Sequence, residues 1–584
     1  MKHFKQLIFF PFAIIFLLVN SCKEKESSHS KQSEAKGGKS YGGVFRLSEA
    51  EYIKNLFPPS ITDNFSYRIA SQIYEGLFKF DPRNLKVINS LTESYTVDST
   101  ATIYTIKLKD NVFFHNDDCF SNGGAGREMT AEDVKYCFTQ LCTQSGSNLN
   151  FILFKDILKG ANAYFAATEG SKKPNFEVEG IKVIDKKTIQ LTLEKPNSIF
   201  IYNLARAGAM IYPKEAFEKY GKEMRIKSVG TGAFYLAQVD EGISMILKRN
   251  EKYYGVDSLG NKLPFLEAID IKFIKDKKNE LFEFQKGNLD MLYRIPTEFI
   301  IDVVSEMGKQ PLQGEYQKYE LQRSPEMLTQ FLVFQTEKGI FKDKNVRKAI
   351  SYAIDREKIL NFVLNGEGDA PGLHGVTPNV YVDYKINKIK GYGFSKDSAQ
   401  FFLKKAGYGG GKGFPKIVLK LNSEGNRNNY VAVEIQKQLK DFLNIDVELE
   451  IIPFAESIDD ALKGDYQLLR LAWAADYPNP ENFLSQFYGK SIPKDPNANS
   501  FPNVSRYKNK SFDDLYEKGI NSKSQEEAYI NFAKAEDVLM DDAPILVLWY
   551  DEGYRLVYNY VKNFPNNAMQ YRDLSQVYLE KTKK

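Results

Sequence analysis

The chain has 584 residues, 79 Lys and Arg against 75 Asp and Glu, and a formal net charge of +4. A balance this even argues against a nucleic-acid surface, which needs an excess of basic charge. The length exceeds what one hydrophobic core organises, so two or three domains are expected. Aromatic residues are 14% of the chain, with 42 Phe and 35 Tyr against 2 Trp, a supply that suits the lining of a wide cleft as well as core.

Lys2 and Lys5 open the chain, and an apolar run from Leu7 to Val19, interrupted by Pro11, leads to Asn20-Ser21-Cys22. The run is short for a membrane span and reads as a signal peptide over residues 1–21. The cysteine at its end resembles a bacterial lipobox, which implies cleavage before Cys22, a lipid on that cysteine and a cell-envelope location, periplasmic or on the outer face of a membrane. Loss of residues 1–21 would remove two lysines and no acid, leaving +2. Residues 22–40 are Lys, Glu, Ser and Gly with almost nothing apolar and are expected to form a flexible tether.

Strand patterns dominate the first half of the remaining chain: Gly43 to Leu47, the alternating Thr102 to Leu108, a hairpin at 181–183 and 188–193, and a pair at 234–239 and 244–249. Thr130 with Glu132 and Asp133 marks a helix start. Beyond Cys22 the cysteines are Cys119, Cys137 and Cys142; one disulfide from Cys119 to either of the others, or three small buried thiols, both fit. Residues 345–364 carry a helical apolar stripe, with Arg347 and Asp355 expected in helix ion pairs. Strand 417–421, helix 430–442 and alternating strand 445–451 make a βαβ unit with a parallel sheet.

Asp465 to Phe483 is the most informative stretch. Leu469, Leu471 and Trp473 alternate to one face, while Arg470, Ala472, Ala474 and Asp476 share the other. That second face carries a cation at one end, an anion at the other, and small side chains between them, dimensions that suit a zwitterionic peptide of three or four residues. A half-exposed strand with ordinary surface charges has the same pattern, as does an internal pair between Arg470 and Glu481.

Signatures of catalysis are missing. His115 and His374 lack metal-ligand spacing, no GxSxG elbow exists, and the AGYGGGKGF run fails as a phosphate loop because Gly413 stands where Ser or Thr belongs. The chain reads as a non-enzyme, with no cofactor or metal expected.

Six segments in order then carry a resemblance. They are Gly43 to Leu47 with Ser48-Glu49; Ile73-Tyr74-Glu75-Gly76-Leu77-Phe78 ("YEGL"); Thr130 to Cys137 ("TAEDVKYS"); Val229-Gly230-Thr231-Gly232-Ala233-Phe234 ("VGTGPF"); Val346 to Arg356 ("VRKAIxxAIDR"); and Trp473-Ala474-Ala475-Asp476-Tyr477-Pro478 ("WxADYPDP"). Together they resemble the extracytoplasmic solute-binding proteins of peptide ABC transporters, the oligopeptide- and dipeptide-binding family, from about Gly42 to Leu579.

The resemblance implies an α/β, two-lobed periplasmic-binding-protein type II-like fold with three domains and a ligand cleft between the lobes. Domain I of lobe one would comprise residues 41–65, 201–325 and 546–584, domain II residues 66–200, and domain III, lobe two, residues 326–545. It implies that Asp476 holds a peptide's α-ammonium and Arg470 its carboxylate, with Glu49 a second acid near the amino end. Ala472, Trp473 and Ala474 would offer backbone for pairing, and Trp473 and Tyr477 would wall the cleft. The implied partners are short peptides and an inner-membrane permease with separate ATPase subunits, the protein itself being a monomer. The same fold could hold a nickel complex, a sugar, haem or a signalling peptide. A secreted hydrolase or adhesin is the reading from another class.

Overall fold

The computed structural model of the protein describes residues 32–308, 312–422 and 426–580. The signal peptide, Cys22 and most of the tether lie outside the described residues. From Ser33 onward the chain already forms regular structure, although residues 33–34 and 36–38 are exposed. Ser33–Glu34 and Ser40–Tyr41 form a small hairpin. Lys39 pairs with Asp257 at 2.7 Å, and the Ser40 hydroxyl donates to the Leu579 carbonyl at 2.6 Å.

Two four-stranded sheets build one lobe. The first runs Phe234–Asp240, Ser244–Arg249, Ala268–Phe273 and Val44–Glu49, and its last pair is parallel, Ala268 to Phe273 against Val44 to Glu49. The second is antiparallel, in the order Thr92–Val97, Ile103–Leu108, Thr188–Thr192 and Ile181–Asp185. Beside it lies the helix Ala131–Leu141, whose first turn is held by Asp133 accepting the Thr130 amide at 2.9 Å.

A seven-stranded sheet joins this lobe to the second. Its two long strands, Tyr319–Phe334 and Ile545–Tyr558, pair antiparallel along their length. Met291–Tyr293 pairs with Ile545–Tyr558 at Arg555 to Val557, whereas Leu468–Ala474 pairs with Tyr319–Phe334 from Leu328 to Phe334. The long strands therefore cross from lobe to lobe. Their register slips between Pro325 and Thr329 and again at Gln330/Phe331, irregularities that bend and twist a strand locally.

The second lobe contains the expected βαβ unit: Ile417–Asn422, the helix Asn426–Leu443, and Val447–Ile452 parallel to the first strand. Its core gathers Leu419, Ile435, Leu439, Leu468 and Trp549 against Val346 and Ile350.

Two expectations are corrected and one open alternative is decided. The 345–364 helix is broken: Lys344–Ala353 ends at Ile354, and Asp355 caps a new turn by accepting the Lys358 amide at 2.9 Å. The break is held by Arg356, wholly buried, which donates to the carbonyls of Ser351, Ile354, Tyr392 and Val547. Among the described residues Arg347 makes no helix ion pair either. It donates to the carbonyls of Phe341, Lys342, Asp542 and Ala543, two of them at the C-terminal end of the Gln525–Asp542 helix, whose last carbonyls lack intrahelical donors. Of the two readings left open for the cysteines the structure takes the second: Cys119, Cys137 and Cys142 are all free thiols, the last two buried and Cys119 partly so. Burial pushes the Cys137 and Cys142 thiols well up from their usual range, which leaves them inert.

Candidate ligand-binding cleft

The motif segments of the first lobe explain themselves as scaffold. Glu75 of the YEGL segment is buried and accepts from Thr231 (3.0 Å), Tyr254 (2.7 Å), Tyr253 (3.2 Å) and Ser90 (3.3 Å). Burial pushes its carboxyl above the usual range, although Lys79 and the donated hydrogen bonds oppose the shift. Thr231 belongs to the VGTG segment, so the two motifs are one structural unit. His115 completes it: Nδ1 accepts the Gly230 amide at 3.3 Å and Nε2 lies 2.9 Å from the Gly232 carbonyl, an arrangement that requires the neutral Nε2–H tautomer. Gly232 has no room for a side chain, since a Cβ there would sit 2.5 Å from the Gln72 carbonyl oxygen.

On the second lobe the alternation of the Leu468–Ala474 strand is as expected. Leu469, Leu471 and Trp473 pack on the larger core cluster, and Leu468 on the smaller one. The strand also has one open edge. The Ala475 amide donates to Met327 at 2.8 Å, so by alternation the Ala472 and Ala474 amides point the other way. On that side Ile417–Asn422 pairs only with Leu468 and Leu469. Among the described residues, Leu471 to Ala474 has no strand neighbour there, and Ala474 is exposed.

Asp476 stands at the end of this edge, its side chain 52% exposed. Its amide donates to Asn482 Oδ1, which also accepts from Trp473 Nε1 at 2.9 Å, so the Trp and Asp of the motif are oriented by one asparagine. Tyr477 is buried. Its hydroxyl donates to Glu481, as does that of Tyr516, and burial pushes the Glu481 carboxyl up.

From the opposite lobe Arg206 reaches over. Its guanidinium lies 3.5 Å from Asp476 Oδ2 and 4.8 Å from the centre of the Tyr477 ring. The Tyr202 ring is 6.2 Å from that of Tyr477. Further along, Ser198 donates its amide to Ile520 (2.8 Å) and its hydroxyl to Gly519 (3.0 Å). Both members of the Arg206–Asp476 pair are partly exposed, so the pair contributes roughly 0–1 kcal/mol, with a cation–π contact of about the same size. Such contacts hold two lobes in register without locking them. Arg206 belongs to no motif, and nothing in its neighbourhood signals a role before the chain is folded.

Two expected site residues are placed elsewhere. Glu49 is 3% exposed and ion-paired with both Arg68 and Arg572, the latter at 2.7 Å. Burial would raise its carboxyl, but the two arginines outweigh that and hold it below the usual range. It is a structural anion rather than a second acid presented to a guest. Arg470 is engaged by Gln330 and, at 3.3 Å, by Asn422, among Leu419, Val431, Ile435 and Trp549. Among the described residues these partners do not include Glu481. Gln330 also donates to buried Asp551, which takes Arg427 at 3.0 Å and approaches Arg294 of the first lobe at 3.6 Å. Arg470 is thus the outer member of a polar network that crosses between the lobes.

Residues 86–495 match the model of the bacterial extracellular solute-binding proteins, family 5. The chain belongs to this family. It is 24% identical over 565 residues to heme-binding protein A of Haemophilus influenzae, covering 95% of this chain and 96% of that one. It is equally 24% identical over 514 residues to the oligopeptide-binding protein OppA of Bacillus subtilis, covering 85% of each. The fold is that of the periplasmic binding protein DppA of Helicobacter pylori, solved with the peptide STSA. The TM-score is 0.73 at 23% identity, with 93% of this chain and 99% of that chain covered. No helix among the described residues is long and apolar enough to cross a membrane.

Proposed function

We propose that this protein captures short peptides between its lobes and hands them to an ABC permease, with no chemistry performed on the guest. The guest would add as a strand to the open edge at Ala472 to Ala474, which supplies main-chain hydrogen bonds indifferent to sequence. Its α-ammonium would meet Asp476, with Trp473 and Tyr477 forming the wall around it. The observation that carries this reading is the coincidence of that unpaired edge with a half-exposed carboxylate at its end, facing the opposite lobe. Lobe closure on the guest is then the signal the permease reads, as a shift between open and closed populations. We further propose a monomer held to the envelope by a lipid on Cys22.

The family's guests are diverse, and the relative in Haemophilus influenzae is named for haem. Native mass spectrometry of the protein purified from its own cells separates the alternatives. Intact peptides of a few residues in stoichiometric amount are expected. A haem, sugar or metal-chelate adduct with no peptide would overturn the proposal, and recovery of cleaved fragments from an added intact peptide would point to a hydrolase.

A further inference from the structure

Among the described residues Arg206 is the only cation within 4 Å of the Asp476 carboxylate, and it comes from the opposite lobe. Its nearest approach, to Oδ2, is 3.5 Å, which is too long for a tight bidentate fork. With its side chain 52% exposed, the carboxylate has room for a second donor. The guanidinium is meanwhile carried on the face of Tyr477, whose hydroxyl is fixed by Glu481. The Arg206 backbone is held independently: its amide donates to Asn203 and its carbonyl accepts from Ala209 at 3.0 Å. Arg206 is therefore positioned by both lobes and does not depend on a guest for its place.

Resting on the peptide reading above, we infer that Arg206 is a built-in counter-cation for Asp476 that lets the cleft close on guests lacking a free amine. A site that buries a lone carboxylate rejects an analogue without the matching cation, because closure then strands the charge. Here closure itself delivers a cation to Asp476. A guest ammonium shares the carboxylate with Arg206, and an N-acylated guest leaves it paired with Arg206 alone. The substrate class widens accordingly, from free-amine peptides to peptides with blocked amino termini. The same geometry makes Asp476 the screen between Arg206 and the guest. Without that carboxylate the guanidinium would face an incoming ammonium directly, and like charges at such range repel.

The test uses the mature protein and a lysine-free library of tri- to pentapeptides, offered as free amines and as the same library N-acetylated. Binding is read by equilibrium dialysis with mass spectrometry. The wild type is expected to favour free amines by less than tenfold. Arg206→Gln is expected to widen that preference about threefold to fivefold through weaker binding of the acetylated peptides, and Asp476→Ala to invert it. Circular dichroism and urea midpoints check that both variants fold. A wild-type preference above 100-fold, or a preference unchanged in Arg206→Gln, would overturn the inference while leaving peptide capture intact. Failure of the wild type to bind either library would overturn the peptide reading and this inference with it.

Discussion

Glu49 and Arg572, 523 positions apart in the chain, meet at 2.7 Å with 3% of each side chain exposed. Arg68 from the helix Asn64–Ile73 closes the other side of the carboxylate. The strand Val44–Glu49 is thereby tied to the end of the chain inside a largely buried cluster. Removing one member of such a cluster leaves guanidinium groups buried without a counter-charge, at about 3–5 kcal/mol. Glu49→Gln is expected to lower the urea midpoint by an amount corresponding to that range while peptide affinity changes less than threefold. A variant of normal stability that no longer binds peptide would return Glu49 to the cleft.

His115 predicts a pH dependence of stability. Burial lowers its imidazole to about 4, against which the hydrogen bond to Gly232 acts only in part. Protonation would also put a proton on Nδ1, which accepts the Gly230 amide. The folded state therefore binds fewer protons than the unfolded state between the ordinary value near 6.5 and about 4. This contribution to stability is present above about pH 6.5 and is lost as the pH falls toward 4, in total about 3 kcal/mol. Chemical denaturation at pH 7, 5.5 and 4 is expected to follow that loss, and His115→Gln to flatten it. An equal slope in both proteins would contradict the assignment.

Gly232 predicts a steric effect at a motif position. Its amide donates to the Ile73 carbonyl at 2.9 Å, and an added Cβ would lie 2.6 Å from the same oxygen. Gly232→Ala is expected to cost about 1–3 kcal/mol by overpacking against backbone, read as a lowered midpoint in urea with an unchanged slope. An alanine variant as stable as the wild type would show that the segment relaxes freely.

Much of this architecture is legible in the sequence because it rests on local patterns. The Thr130–Asp133 cap, the βαβ unit and the alternation that puts Leu469, Leu471 and Trp473 on one face depend on neighbours a few residues away. What could not be read depends on distant partners. Arg347 and Arg356 look like exposed helix cations, but their guanidiniums satisfy carbonyls brought in from the 540s. Glu49 looks like a strand-end acid until Arg68 and Arg572 fold onto it. Arg470 shares a strand face with Asp476, yet that face divides between the sheet's polar interior and the cleft. Arg206 sits in no pattern at all, and only the approach of the two lobes brings its guanidinium to Asp476 and Tyr477.

Titration calorimetry of the wild type and Asp476→Ala with free-amine peptides recovered from the native protein is the most direct measurement. Losing the guest's anionic partner and baring Arg206 should weaken binding at least 100-fold, about 2.7 kcal/mol. An affinity within threefold of the wild type would mean that the carboxylate at the end of the open strand edge does not receive the peptide's amino terminus.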